Sequence, residues 1–279
     1  MNLQHIVSAM ALGAVVPGCF AQTSNKLDDY NVIYILADDL GYGDVGCYGQ
    51  EKIETPNIDR LASQGMLFTD HYSGTSVSAP SRASLMTGLH TGHTYIRGNI
   101  GGVGHGPREG QQPIPAGTYT LGRMFQQAGY RTGAFGKWGL GYPGSEGDPT
   151  VQGFDEFYGY NCQALAHKYY QEYIWHNGDT VWMPGNDLVH RVHYVPDTIH
   201  SMALQFIRDN KSNKFFAFLP YILPHAELMP PDDDLMAKYR GRFAEKPFVR
   251  KNHIGDYSEV GRSRNRYSSQ PEPYAAFAA

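Results

Sequence analysis

The chain has 279 residues and a formal net charge of -4. This slightly acidic chain carries no basic field for a phosphate backbone and its twelve histidines are scattered, so nucleic acid is excluded as a partner. With 41% hydrophobic residues the chain is long enough to bury a large core, and we expect a globular protein.

The N-terminus is typical of an export signal. Ile6 to Val16 form an apolar run that is too short to span a bilayer, and Ala21 is a small residue of the kind found before a cleavage site. We therefore expect residues 1–21 to be a signal peptide, the protein to be periplasmic or secreted, and no transmembrane segment to follow. An alternative is a lipoprotein anchored through Cys19.

Two cysteines follow the predicted signal peptide, Cys47 and Cys162. Exported proteins form disulfide bonds, but a domain of this size does not depend on one for stability. The sequence leaves their pairing open, and we interpret both as structural residues.

Strands and helices are predicted to alternate along the chain. Asn31 to Ala37 form a β-branched and aromatic run, as in a strand that is buried on both faces of a parallel sheet. The other predicted elements are a helix at 55–65, a strand at 66–73, a helix with Ser78 as N-cap and Gly88 as stop, a helix at 120–130, a strand at 131–137, a helix at 198–210 and a strand at 214–225. The alternation predicts an α/β fold, a mostly parallel sheet sandwiched between helices, with long loops at 98–117 and 141–195.

Two adjacent carboxylates, Asp38 and Asp39, follow the first predicted strand. In α/β folds, sites form at the carboxyl ends of strands. Like charges this close repel unless a cation lies between them, and carboxylate oxygens suit Ca²⁺ or Mg²⁺. The alternative is a turn in which Gly41 and Gly43 supply positive φ angles.

The stretch SVSAPSRASLMTG, residues 76–88, is compatible with two different roles for Ser78. As the N-cap of a helix it is a structural residue. As a nucleophile it lies where a helix N-terminus attracts tetrahedral oxyanions, with the guanidinium of Arg82 one turn further on. An unmodified serine is a weak nucleophile and no histidine stands close in sequence, so the spacing leaves both roles open.

Two further polar residues lie where predicted strands end. Lys137, in GKWGLG, is either a cation that faces an anionic substrate or a surface lysine. His225, in LPH, is either an acid or base that works near neutral pH or a hydrogen-bonded structural histidine.

Together the segments ADDLGYGD, SAPSRASLMTG, GKWGLG and LPH strongly resemble the formylglycine-dependent sulfatases of the alkaline phosphatase superfamily. The resemblance covers nearly all of the chain after residue 21. It implies that a radical maturase oxidises Ser78 to formylglycine, whose hydrate attacks the sulfur of a sulfated glycan or aryl sulfate. The alcohol leaves, and the second hydroxyl of the hydrate then expels sulfate.

The resemblance also implies the roles of the other site residues. Asp38, Asp39 and Ser78 are implied ligands of a divalent cation, usually Ca²⁺, with Mg²⁺ as the other candidate. Arg82 is implied to hold the hydrate, Lys137 to bind the sulfate oxygens, and His225 to bind sulfate or assist the departing alcohol.

The chain departs from the family pattern at three places. Gly139 stands where members often have histidine, and His167 in ALAHKYY is a candidate substitute for that imidazole. The family's second pair of metal ligands and its small C-terminal domain would follow residue 279. We therefore interpret residues 22–279 as a partial N-terminal catalytic domain and expect little or no turnover, because two carboxylates and one side chain fall short of the six to eight oxygens that Ca²⁺ prefers.

Two alternative functions remain open at this stage. A phosphatase or phosphodiesterase of the same superfamily would use an unmodified Ser78. A non-catalytic glycan-binding protein is favoured by Gly139 and by the aromatic stretch Tyr169 to Trp182, although such aromatic side chains also serve as plain packing.

Overall fold

One sheet organises the part of the chain that the computed structural model describes, which is residues 30–104, 109–187, 190–225 and 228–244. All of these residues except Tyr30 belong to one compact unit. Residues 1–21 lie outside the described residues. The strands are β1 (Val32–Asp38), β2 (Arg131–Lys137), β3 (Glu156–Tyr160), β4 (Tyr173–His176), β5 (Asp179–Trp182) and β6 (Phe215–Pro224).

The sheet is parallel on one side and antiparallel on the other. The strand order is β1-β6-β2-β3-β4-β5. The pairs β1/β6, β6/β2 and β2/β3 are parallel, whereas β3/β4 and β4/β5 are antiparallel. The predicted α/β fold with a mostly parallel sheet is confirmed.

Five helices accompany the sheet in the described ranges. They are α1 (Pro56–Gln64), α2 (Ser78–Thr87), α3 (Leu121–Gln127), α4 (Val195–Asn210) and α5 (Asp234–Tyr239). α3 and α4 pack on the sheet, and α2 packs on α3. The predictions for α1 and α3 are confirmed, while α4 begins three residues earlier than predicted because Pro196 is accommodated in its first turn. No helix among the described residues is long and apolar enough to cross a bilayer.

The core lies around two interior strands of the sheet, β2 and β6. β2 and β6 have neighbours on both sides, and Phe135, Phe216 and Phe218 are fully or almost fully buried. Phe154 stacks on Phe218 with a centroid separation of 6.1 Å. Cys162 is buried and burial raises its pKa to about 12; it and Cys47 are both thiols.

The first strand is less buried than its sequence predicts. Among the described residues β1 pairs only with β6, so it lies at an edge of the sheet, and Ile33 and Ile35 are 48% and 60% exposed. The prediction of a strand buried on both faces is therefore wrong: Ile33 and Ile35 are two residues apart, so they lie on the same face of β1, and a β-branched run does not reveal whether anything packs on that face.

Two other predictions of local structure are wrong. Residues 66–73 form no strand, and Met66, Phe68 and Tyr72 in this segment are exposed. Conversely, the predicted loop 141–195 contains β3, β4 and β5, whose four or five residues are too short for a clear periodic signal among the glycines and polar residues around them.

Candidate active site

The site lies at the edge of the sheet where the parallel strands end. β1 ends at Asp38, β2 ends at Lys137, and His225 directly follows β6. Because these strands are parallel neighbours, their carboxyl ends deliver the three side chains to one edge. Asp39 has a φ of 64°, a left-handed conformation that is uncommon outside glycine, so the chain turns sharply at Asp39. The predicted turn with positive φ at Gly41 and Gly43 is wrong, since neither glycine adopts it.

Asp38 is the centre of a buried ionic network. Its Oδ2 accepts a hydrogen bond from Lys137 Nζ at 2.7 Å, and its Oδ1 lies 3.3 Å from Arg82 Nη2. Arg82 Nη1 also donates to the carbonyl oxygen of Lys137 at 2.6 Å. Lys137 is only 1% exposed and Arg82 4%, so the reading of Lys137 as a surface lysine is wrong. Two buried cations form ion pairs with one carboxylate, while the charge of Asp39 also acts on both cations without an ion pair to either.

Burial and charge shift the protonation equilibria of this network. Burial by itself raises the pKa of Asp38, but the charges of Arg82 and Lys137 outweigh it and hold that pKa below its usual range. Burial, together with repulsion from Arg82, lowers the pKa of Lys137 to about 8. Lys137 is therefore the residue in this network that loses its proton just above neutral pH.

Ser78 joins the network through Arg82. It is the first residue of α2, it is half-buried, and its Oγ accepts a hydrogen bond from Arg82 Nε at 3.1 Å. The prediction that Ser78 is the N-cap is wrong: Val77 is the N-cap, and the N–H of Ala79 donates instead to Asn99 Oδ1 at 2.8 Å. Asn99 thus satisfies a helix N-terminal donor, and the Ser78 hydroxyl is available to the site.

The C-terminal end of α2 lies where the sequence predicts it. Ala83 and Met86 are buried, and Gly88 ends the helix in the left-handed conformation with a φ of 67°. The predicted stop at Gly88 is confirmed. The packed face of α2 holds its first turn, and hence Ser78, against the strand ends.

Two histidines form a second group beside the ionic network. His225 Nε2 lies 3.4 Å from Asp39 Oδ2, and the rings of His225 and His167 lie with their centroids 4.9 Å apart. His225 also contributes to lowering the pKa of Asp38, so the two groups are electrostatically linked. His167 is far from the other site residues in sequence, in a short 3-10 turn at Leu165–His167, and the fold brings it to the same place.

The described residues do not form a complete metal centre. No group of three or more His, Cys, Asp or Glu side chains in these ranges is arranged to hold a metal ion. Both oxygens of Asp38 already contact cationic side chains, and Asp39 is 66% exposed and lies beside His225. A divalent cation would find two carboxylates and the Ser78 hydroxyl, which is fewer ligands than Ca²⁺ takes.

Sequence reasoning missed Asn99 and Gln163. Asn99 lies in a glycine-rich loop, where nothing in the local pattern connects it to α2. Gln163 follows β3, and it lies beside the segment that leaves β2. Recognising β3 as a strand would have identified its carboxyl end as a further part of the site.

The amino-acid sequence that forms this site matches a known protein family. The profile of the Sulfatase family matches residues 30–270. The chain belongs to the sulfatase family. The resemblance to sulfatases of the alkaline phosphatase superfamily, drawn from four short motifs, is thereby confirmed.

Individual sulfatases are similar to this sulfatase chain over part of their length. Human arylsulfatase D is 40% identical over 146 residues, which are 50% of this chain and 24% of that protein. N-acetylgalactosamine-6-O-sulfatase of Bacteroides thetaiotaomicron is 39% identical over 144 residues, 50% of this chain and 27% of that protein. The solved structure of Ps i-CgsB in complex with k-i-k-neocarrahexaose superposes with a TM-score of 0.67 and 31% identity, covering 78% of this chain and 49% of that one. The chain thus spans about a quarter of the length of these curated relatives.

Proposed function

We propose that this chain carries the nucleophile and the sulfate-binding cations of a sulfuric ester hydrolase. One observation carries the proposal: Arg82 donates both to Ser78 Oγ, at 3.1 Å, and to the carbonyl oxygen of Lys137, at 2.6 Å. The nucleophile position and two cations therefore belong to one hydrogen-bonded unit at a helix N-terminus.

Ser78 is the proposed nucleophile after oxidation by a radical maturase. Formylglycine supplies, as its hydrate, a hydroxyl that attacks sulfur more readily than a serine hydroxyl does. The position suits this group because the Oγ atom is half-buried at the start of α2 and is already oriented by the Nε–H of Arg82. Arg82 fixes the direction of the oxygen, and the helix N-terminus favours the negative charge that develops there.

Lys137 and Arg82 are the proposed sulfate-binding residues. Asp38 binds both side chains, and Asp39 acts on their charges without an ion pair to either. A sulfate group at this edge of the sheet would be attracted by both cations, and their low exposure strengthens the attraction.

His225 and His167 are the proposed groups for the departing alcohol. A histidine at a strand end beside an acidic side chain is suited to donate a proton to a leaving oxygen near neutral pH. His225 Nε2 lies 3.4 Å from Asp39 Oδ2, and His167 packs against the ring of His225. We propose that His167 replaces the imidazole that position 139 lacks.

A divalent cation is part of the proposal only as a partial site. Asp38, Asp39 and Ser78 are the proposed ligands, with Ca²⁺ as the first candidate ion and Mg²⁺ as the second. Since the described residues supply too few oxygens, we assign no chemical step to the cation.

Sulfated glycans are the proposed substrates, with aryl sulfates as small surrogates. Two similar proteins support this substrate class: the N-acetylgalactosamine-6-O-sulfatase, by its name, and Ps i-CgsB, by its structure in complex with k-i-k-neocarrahexaose. Export to the periplasm or beyond, which rests on residues 1–21 alone, would bring the chain to such substrates. A phosphatase with unmodified Ser78 and a non-catalytic glycan-binding protein are not favoured, because the matching relatives are sulfatases.

Mass spectrometry and sulfate release test the proposal together. After co-expression with a radical maturase, the peptide that contains Ser78 should lose about 2 Da and the protein should bind sulfate, while release of sulfate from an aryl sulfate should be slight or absent because the described residues supply too few metal ligands. Ser78→Ala should abolish the mass change and any release, whereas Ser76→Ala, a change of an exposed serine two residues earlier, should leave the mass change and sulfate binding intact. Retention of an unmodified Ser78 with phosphate ester hydrolysis would favour the phosphatase instead.

A further inference from the structure

A polar side chain occupies the space beside Gly139 that a side chain at that position would need. A Cβ atom on Gly139 would lie 2.0 Å from Gln163 Nε2 and 3.5 Å from Arg82 Cδ. Gly139 has a φ of 76°, so both its backbone conformation and its surroundings require glycine. The Gln163 carboxamide and the aliphatic part of Arg82 therefore flank the same point.

Backbone contacts fix this arrangement from both sides. The N–H of Gly139 donates to the carbonyl oxygen of Asn161 at 2.8 Å, and Gln163 Nε2 donates to the carbonyl oxygen of Gly139 at 3.3 Å. The N–H of Gln163 in turn donates to Gln111 Oε1 at 3.3 Å. The segments that leave β2 and β3 are thus tied together next to Arg82.

One atom of the Gln163 carboxamide is buried without a hydrogen-bond partner in the described part of the chain. The residue is 6% exposed, and its Oε1 has no hydrogen-bond partner among the described residues. An unsatisfied buried acceptor is unfavourable, so the carboxamide oxygen does not by itself stabilise the fold. The side chain therefore acts here through its shape and through the hydrogen bond that Nε2 donates to Gly139.

We propose that Gln163 is a positioning residue for Arg82: its carboxamide fills the space left by Gly139 and holds the Arg82 side chain in line with Ser78 and Asp38. Arg82 Nε reaches Ser78 Oγ, and Nη2 reaches Asp38 Oδ1, only while the Cδ end of the side chain stays in place. The significance of this positioning for catalysis rests on the proposed function, whereas the restraint that Gln163 places on Arg82 does not.

Hydrogen exchange at Arg82 Nε tests the positioning without any ligand. In Gln163→Ala the removed carboxamide leaves a gap beside Cδ, and the Nε–H of Arg82 should exchange roughly fivefold to tenfold faster, as expected for one weakened hydrogen bond. Gln163→Met, which keeps the length of the side chain, should exchange like the wild type. Arg97, whose Nε–H donates to the carbonyl oxygen of Thr94, is the internal control and should not change.

A double-mutant cycle separates a direct contact from a general loss of packing. Gly139→Ala places a methyl group against Gln163 Nε2, so it should perturb Arg82 exchange strongly in the wild-type background and less in the Gln163→Ala background. Unchanged Arg82 exchange in a folded Gln163→Ala protein would overturn the proposal, and so would additive effects of the two substitutions. Should Gln163→Ala fail to fold, Gln163→Met with the same measurement decides the question, because accelerated exchange in that variant contradicts positioning by shape.

Sulfate affinity, measured by calorimetry, distinguishes this inference from the proposed function. If both are correct, Gln163→Ala should weaken sulfate binding by about tenfold while Gln163→Met stays close to the wild type. If the wild type binds no sulfate but Arg82 exchange still responds to Gln163→Ala, the positioning holds and the proposed function is wrong. If the wild type and Gln163→Ala bind sulfate equally well, the positioning role is wrong and the proposed function stands.

Discussion

Asp38 binds two cations with its two carboxylate oxygens, Lys137 Nζ at 2.7 Å and Arg82 Nη2 at 3.3 Å. These contacts join residues from the ends of two strands and from the first turns of a helix. The Asp38 carboxylate therefore fixes the positions of the two cations in addition to balancing their charge. Asp39, the next residue, is mostly exposed and contacts His225. Adjacent acidic residues that look equivalent in sequence therefore have different energetic roles.

Asp38→Asn should destabilise the fold far more than the same change at Asp39. Removing the charge leaves two buried cations with no ion-paired carboxylate and only the charge of Asp39 acting on them, and breaking a buried pair in this way costs about 3–5 kcal/mol. Asp39→Asn affects an exposed pair and should cost less than about 1 kcal/mol. Urea unfolding of the two variants at neutral pH measures the difference, and equal losses would contradict the assignment of Asp38 as the centre of the network.

The unfolding free energy should depend on pH through Lys137. Its folded pKa is lowered from 10.5 to about 8, so between those values the folded state binds fewer protons than the unfolded state. The cost of burying the charged lysine is thus present in full below about pH 8 and is relieved as pH rises towards 10.5, which makes this contribution to stability increase with pH.

Lys137→Met isolates that contribution. The difference in unfolding free energy, wild type minus variant, should rise with pH between about 8 and 10.5. Lys238→Met is the control, because Lys238 lies at the surface with its Nζ 2.7 Å from Glu54 and its pKa is raised by that hydrogen bond. For this control the difference should not increase over the same range. A flat difference for Lys137→Met would show that its pKa is close to the unfolded value.

Asn99→Ala should destabilise the start of α2 more than Ser78→Ala. Asn99 Oδ1 accepts the hydrogen bond from the N–H of Ala79 at the start of α2, and loss of such a helix N-terminal partner costs about 1 kcal/mol. Ser78 makes no capping hydrogen bond, so Ser78→Ala removes the acceptor of the Arg82 Nε–H and leaves the helix end satisfied. Hydrogen exchange of the Ala79 N–H in both variants checks the order, and faster exchange in Ser78→Ala than in Asn99→Ala would restore Ser78 as the residue that stabilises the helix start.

The sequence predicted those parts of the site that lie at the ends of recognisable elements. Asp38 and His225 follow long apolar runs, and Arg82 follows Ser78 at the spacing of one helical turn, so their proximity could be inferred from the parallel order of the strands. The sequence could not predict that Lys137 is buried and donates a hydrogen bond to Asp38. Both features depend on the strand order β1-β6-β2, which no local sequence pattern encodes.

The other failures have the same physical origin. β1 has the composition of a strand buried on both faces, yet the exposure of each face depends on what packs on it. The segment 66–73 has strand-like composition but no partner strand among the described residues. His167 and Gln163 follow a short strand that was predicted as loop. Their place in the site comes from the pairing of β2 with β3, a long-range contact.

His167 and His225 should respond to sulfate as a pair, which two-dimensional NMR of their imidazole groups measures without turnover. Because the rings lie 4.9 Å apart and His225 lies beside the ionic network, sulfate bound by Lys137 should shift the Hε1 resonances of both histidines with the same apparent affinity. His176, which contacts Glu156 on the antiparallel side of the sheet, is the matched control and should not shift. Lys137→Met should remove both shifts, since the anion then loses the cation that binds it. Shifts that survive Lys137→Met, or that appear in only one of the two histidines, would contradict a shared sulfate site.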